Sequence, residues 1–115
     1  MPSEPLVIEV EADGILRLRG PLTTENVPPF QNAVRREDAA TMFLDLSEVP
    51  YIDSAGLGSL VSAYTSCQKS GRRMILTGVN DRVAKLFEIT RVEQLFLMFS
   101  NLSEAIDALS NSGSA

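Results

Sequence analysis

The junction between one predicted strand and one predicted helix constrains the fold of this chain more than any other feature. The segment Thr41–Leu46 is almost continuously hydrophobic, which is typical of a strand covered on both faces. After it comes the run Asp53-Ser54-Ala55-Gly56-Leu57-Gly58, and apolar residues then recur at helical spacing as far as Tyr64. This order places the hydroxyl of Ser54 at the amino-terminal mouth of a helix that follows a buried strand.

The rest of the chain alternates predicted strands with predicted helices. Further strands are predicted over Leu6–Val10, Gly14–Gly20, Arg73–Gly78 and Leu95–Phe99, and helices over Val27–Glu37, from the serine run to Gly71, after the capping pair Asn80-Asp81, and over Ser103–Leu109. An opening pair of strands followed by this alternation predicts an α/β fold with a parallel centre. The length of 115 residues fits one domain over 1–115, with a disordered polar tail at 110–115.

Composition and charge argue against several classes of partner. The chain carries a formal net charge of −5, whereas a protein that wraps nucleic acid or coats an anionic membrane presents a basic face. No apolar run approaches the roughly 18–20 residues that span a bilayer, and the first residues lack the charged and apolar regions of a signal peptide. We therefore expect a soluble cytoplasmic protein without a nucleic-acid or membrane partner.

The absence of histidine removes most of the common catalytic sites. A Ser-His-Asp relay and a histidine-containing zinc site need a residue type that this chain lacks, and its single cysteine, Cys67, excludes a four-thiolate site. The sequence also contains no Gly-x-Ser-x-Gly elbow, phosphate-binding loop or dinucleotide fingerprint. We therefore expect no enzyme activity, no catalytic residue, no metal and no cofactor.

From the residues alone, Ser54 has two compatible interpretations. As a helix N-cap, its oxygen would accept a hydrogen bond from a backbone N–H one turn into the helix. As a modification site, it would hold a phosphate where free N–H groups and the helix dipole favour negative charge. Gly56 and Gly58 would leave room for the phosphate or for an approaching kinase, while the carboxylate of Asp53 would repel the phosphate.

The run from Asp53 to Gly58, with Asp45 near the end of the preceding strand, resembles the STAS domain, in particular the bacterial anti-sigma-factor antagonists. The resemblance extends from Leu6 to Leu109 and implies a mixed sheet with a parallel centre, flanked by helices. It also implies that an anti-sigma factor, itself a serine kinase, phosphorylates Ser54. Unphosphorylated Ser54 would permit binding of that kinase and so release a sigma factor, and phosphorylated Ser54 would block binding.

The resemblance also implies roles for the residues around Ser54. The edge on which the partner docks is expected to comprise Asp53, Ala55, Gly56, Leu57, Gly58 and Thr23. We expect Gly56→Val to harm docking more than core packing. Thr23 stands in a loop where many family members have an aspartate, and Asp45 is expected to support the turn through hydrogen bonds to loop N–H groups.

A second function fits the same fold. Some STAS domains are constitutive scaffold subunits of stress-signalling complexes or of lipid ABC transporters, and there the serine is not a phosphorylation switch. Such a subunit would bind a constant partner whatever the state of Ser54.

Overall fold

A mixed sheet forms the centre of the protein. The structure, a computed structural model, describes residues 5–113, apart from the side chains of residues 13 and 111–113. Within these residues five strands lie in the spatial order β1 (Val7–Glu11), β2 (Ile15–Arg19), β3 (Thr41–Glu48), β4 (Arg73–Thr77) and β5 (Leu97–Phe99). β1 pairs with β2 in antiparallel fashion, and the pairs β2–β3, β3–β4 and β4–β5 are parallel. The predicted α/β fold with a parallel centre is therefore confirmed.

The helices cover the two faces of the sheet unequally. They are α1 (Val27–Arg36), α2 (Ser54–Lys69), α3 (Asp81–Thr90) and α4 (Leu102–Gly113). The main core, which includes Phe30 of α1, Leu60 of α2 and Phe87 of α3, lies on one face. A smaller core around Phe43 and Ala105 lies on the other face, beneath α4. We refer to these as the main face and the α4 face.

β3 shows how the sequence divides its side chains between the two faces. Successive side chains of a strand point to opposite sides, so Met42, Leu44 and Leu46 enter the main core while Phe43 packs in the smaller core. The five residues from 42 to 46 are all buried. This is the burial predicted for a strand covered on both faces.

The elements differ from the predictions mainly near the C-terminus. The predicted strand over Leu95–Phe99 is shorter, because the backbone N–H of Leu95 closes a turn onto the carbonyl of Val92 and Phe96 packs between the rings of Tyr64 and Phe87. The last helix continues to Gly113, so the predicted tail at 110–115 begins inside a helix. That segment has no proline before Gly113 to interrupt the i→i−4 hydrogen bonds, and residues 114–115 lie outside the described residues.

Candidate functional site

The segment between β3 and α2 is fastened to the loop that follows β2. Leu22 forms an isolated parallel bridge with Ile52. The N–H of Leu22 donates to the carbonyl of Tyr51, and the N–H of Asp53 donates to the carbonyl of Leu22, at 3.2 Å each. Two loops at the carboxyl ends of neighbouring parallel strands therefore meet at one site. We call residues 53–58 the serine turn.

Asp53, and not Ser54, is the N-cap of α2. Its Oδ1 accepts from the backbone N–H of Gly56 at 2.8 Å. Its Oδ2 accepts from both the backbone N–H and the hydroxyl of Thr24, at 3.0 and 3.2 Å. The interpretation of Ser54 as a cap is therefore wrong, because the preceding residue occupies the N-cap position and its side chain accepts from the N–H of Gly56.

Ser54 is the first residue of α2, and its side chain faces solvent. Among the described residues its hydroxyl has no hydrogen-bond partner, so no contact has to break for the hydroxyl to react. It lies at the positive end of a helix of 16 residues. The hydroxyl is thus accessible from solvent at a position where negative charge is favourable.

Opposing influences set the ionisation of Asp53. Burial raises the pKa of Asp53, but the hydrogen bonds from Gly56 and Thr24 stabilise the carboxylate and together bring its pKa below the usual value. Asp53, the residue that precedes Ser54, is consequently charged at neutral pH.

The two glycines of the serine turn have different surroundings. A Cβ added at Gly56 would overlap with the carbonyl oxygen of Leu22 and lie 2.8 Å from Cγ2 of Ile52. Gly56 is buried, so it lets two backbone segments approach each other rather than offering a surface. The expectation that Gly56→Val would mainly harm docking is therefore wrong. Gly58 is exposed, and a Cβ there would meet nothing within 4 Å.

The other residues of the predicted docking edge surround the exposed serine. Ala55 and Leu57 are half-buried, and Leu57 packs partly against the main core. Thr23 is also half-buried and precedes a short 3₁₀ turn, Thr24–Asn26, without a hydrogen bond from its side chain to that turn. The neighbouring Thr24 makes the contact with Asp53. Its role was not predictable from the sequence, because the two adjacent threonines have the same side chain.

Asp45 does not support the serine turn, because its side chain lies on the α4 face. Asp45 lies two residues after Phe43 in β3, so the two side chains point to the same face of the sheet, and Asp45 is 6% exposed. Its Oδ2 accepts from Arg17 at 2.9 Å, and its Oδ1 accepts from the N–H of Ser47 and the hydroxyl of Thr77 at 3.1 and 3.3 Å. The carboxylate is buried and hydrogen-bonded as expected, but it joins β2, β3 and β4 on the face opposite α2.

The side chains that the structure describes, those of residues 5–12 and 14–110, include no group of three or more His, Cys, Asp or Glu that could hold a metal ion. In the same part of the chain, no helix combines the length and the apolar character needed to cross a membrane.

Known proteins with similar sequences and structures share this arrangement of elements. The anti-sigma-B factor antagonist of Staphylococcus aureus is 29% identical over 83 residues, which are 70% of this chain and 77% of that protein. A candidate anti-sigma factor antagonist of Thermotoga maritima superimposes with a TM-score of 0.77 and 27% identity, covering 90% of this chain and 92% of that one. Unphosphorylated SpoIIAA, an anti-sigma factor antagonist, has a TM-score of 0.71 at 19% identity and covers 92% and 96% of the two chains, a likeness of fold.

The match to a family model covers most of the chain. It extends over residues 4–105, from the start of the sheet to the first turns of α4, and includes the whole serine turn. The chain therefore belongs to the STAS domain family.

Proposed function

We propose that this protein is an anti-sigma-factor antagonist whose binding to an anti-sigma factor is switched off by phosphorylation of Ser54. The observation that carries the proposal is the exposed, unpaired hydroxyl of Ser54 at the first position of α2. The similarity to the antagonist of Staphylococcus aureus supports the same role.

The electrostatics of the serine turn explain how a phosphate would act. A phosphoserine carries roughly −1.5 to −2 charges at neutral pH. The helix N-terminus favours that charge, whereas the ionised carboxylate of Asp53 opposes it. Because Ser54 is exposed, the added charge projects toward solvent and repels a partner that docks on the turn.

The chain would act as the phosphate acceptor and the partner as the kinase. The nucleotide then binds to the anti-sigma factor, and no catalysis by this chain is required. The docking edge comprises Asp53, Ala55, Leu57 and Gly58 with Thr23. Gly56 is buried, and its lack of a side chain lets the loop after β2 lie against the serine turn. A protein that controls sigma-factor availability in this way acts in the cytoplasm.

A capture experiment tests the proposal. Wild-type protein, Ser54→Ala and Ser54→Asp are used as baits in a lysate of the host, and the captured proteins are identified by mass spectrometry. We expect the first two baits to capture an ATP-binding serine kinase and Ser54→Asp to capture none. An identical set of partners on all three baits would contradict the switch and would favour the constitutive scaffold subunit.

A further inference from the structure

α3 presents an exposed side next to the serine turn that the proposed phosphate switch does not use. Arg82, Lys85, Leu86 and Ile89 are spaced three and four residues apart, so they lie on one side of the helix. The adjacent side of α3, with Val83 and Phe87, is buried in the main core, and Leu86 at the boundary packs partly against that core.

A groove of about 400 Å³ lies between this side of α3 and the segment that enters the serine turn. Residues 51–53 form one wall, and the four residues of α3 belong to the other. Asn80 fixes the distance between the walls, because its Nδ2 donates to the carbonyls of Val49 and Pro50 at 3.2 Å each while its Oδ1 caps α3. The groove is therefore a preformed continuation of the proposed docking edge.

The groove is lined by an exposed apolar side chain, Ile89, and by two basic side chains, Arg82 and Lys85. Ile89 is 67% exposed, the highest value among the exposed large hydrophobic residues of the described chain. The guanidinium of Arg82 lies 4.9 Å from the ring centroid of Tyr51 and takes part in none of the ion pairs among the described residues. The Lys85 ammonium lies 3.6 Å from a carboxylate oxygen of Glu88, an exposed pair of little strength.

We propose that this groove binds an acidic segment of the anti-sigma factor that carries an apolar side chain. The carboxylates of that segment pair with Arg82 and Lys85, and its apolar side chain packs on Ile89. Charge complementarity favours this occupant, because Arg82 has no ion-pair partner and Lys85 only an exposed one among the described residues, while the carboxylate of Asp53 on the other wall is already held by Gly56 and Thr24. The inference rests on the proposed function, since it names the chemistry of the partner surface that meets the serine turn.

Calorimetry with the purified kinase that the wild-type bait captures tests the inference. The variants are Arg82→Glu and Ile89→Asp, with Arg36→Glu and Val10→Asp as matched controls at exposed positions away from the groove. We expect each groove variant to weaken binding about tenfold or more and each control to stay within about twofold. Raising the salt concentration should weaken binding of the wild type more than binding of Arg82→Glu.

The outcomes separate this inference from the proposed function. If Ser54→Asp abolishes binding while both groove variants bind like wild type, the acidic-segment inference is overturned and the switch stands. Tighter binding by Arg82→Glu would likewise overturn it, since the partner surface would then be basic. If Ser54→Asp binds as well as wild type, the switch itself fails. Thermal unfolding midpoints close to wild type establish that each variant is folded.

Discussion

The serine turn and the α4 face are each organised around an aspartate, but at the serine turn an exposed hydroxyl next to that aspartate has no partner among the described residues. At the turn, Asp53 binds Gly56 and Thr24, so the neighbouring Ser54 hydroxyl remains free and exposed. On the α4 face, Asp45 binds Arg17 and Thr77, and the surrounding charges pair with one another. These surrounding pairs are Glu11 with Arg17, and Arg19 with both Glu9 and Glu48.

This difference indicates which region is available for a partner. A buried carboxylate that is hydrogen-bonded within the chain, such as that of Asp45, gains little from a new contact, and removing its partners is costly. A free hydroxyl beside a fixed carboxylate can instead change the charge of a surface without a change of fold. We therefore propose that the exposed residues of the serine turn serve recognition, whereas Gly56 and Asp53 also support the turn and Asp45 on the α4 face serves stability alone, and four substitutions test that division.

The largest effect is expected from Gly56→Val. The new side chain would overlap with the carbonyl of Leu22, and overpacking of this kind costs about 1–3 kcal/mol or more of unfolding free energy. Denaturant unfolding measures the loss, with Gly58→Val as the matched control, because a Cβ at Gly58 meets open space. A wild-type midpoint for Gly56→Val would show that the two loops do not approach as closely as described.

Asp45→Ala should lower stability by about 1–3 kcal/mol, because it removes the acceptor for the buried hydroxyl of Thr77 and for Arg17. The variant is expected to bind the anti-sigma factor with wild-type affinity, since the lost contacts lie on the α4 face. Calorimetric unfolding and a binding titration measure the two quantities. Weaker partner binding by an Asp45→Ala protein that remains folded would contradict the claim that the α4 face serves stability and not recognition.

Asp53→Ala should cost about 0.5–2 kcal/mol, the usual range for loss of an N-cap, and should also weaken partner binding. The pKa of Asp53 is lowered in the folded state, below an unfolded value of about 3.9. Its stabilising contribution is therefore present above that value and is lost as the pH falls through the folded pKa. The stability difference between wild type and Asp53→Ala should shrink over that acidic range, and a constant difference would contradict the role of the carboxylate.

Ser54→Ala should have the smallest effect on stability, within about 0.5 kcal/mol of wild type, because the hydroxyl has no hydrogen bond among the described residues and is exposed. The same variant should no longer accept phosphate from the kinase, which intact mass spectrometry detects. A clear loss of stability in Ser54→Ala would support the interpretation of Ser54 as a helix cap.

Periodicity predicted the order of strands and helices, because it depends on local alternation of apolar residues. It also placed Ser54 at the start of a helix. The identity of the cap was not predictable, since Asp53 and Ser54 are adjacent and both residue types are common caps. The role of Gly56 depends on Leu22, which is distant in sequence, and the face of Asp45 depends on where α2 packs after leaving β3. The errors about Gly56 and Asp45 concern contacts between segments that are far apart in the chain, whereas the error about the cap concerns a choice between neighbouring residues.

The binding affinity of the wild-type protein before and after phosphorylation of Ser54 tests the central claim most directly. The purified kinase phosphorylates the chain, mass spectrometry establishes a single phosphate on Ser54, and calorimetry compares the two forms. We expect the phosphorylated form to bind at least about tenfold more weakly while its unfolding midpoint stays near that of the unmodified protein. Equal affinity of the two forms would contradict a phosphate-controlled docking surface at the serine turn.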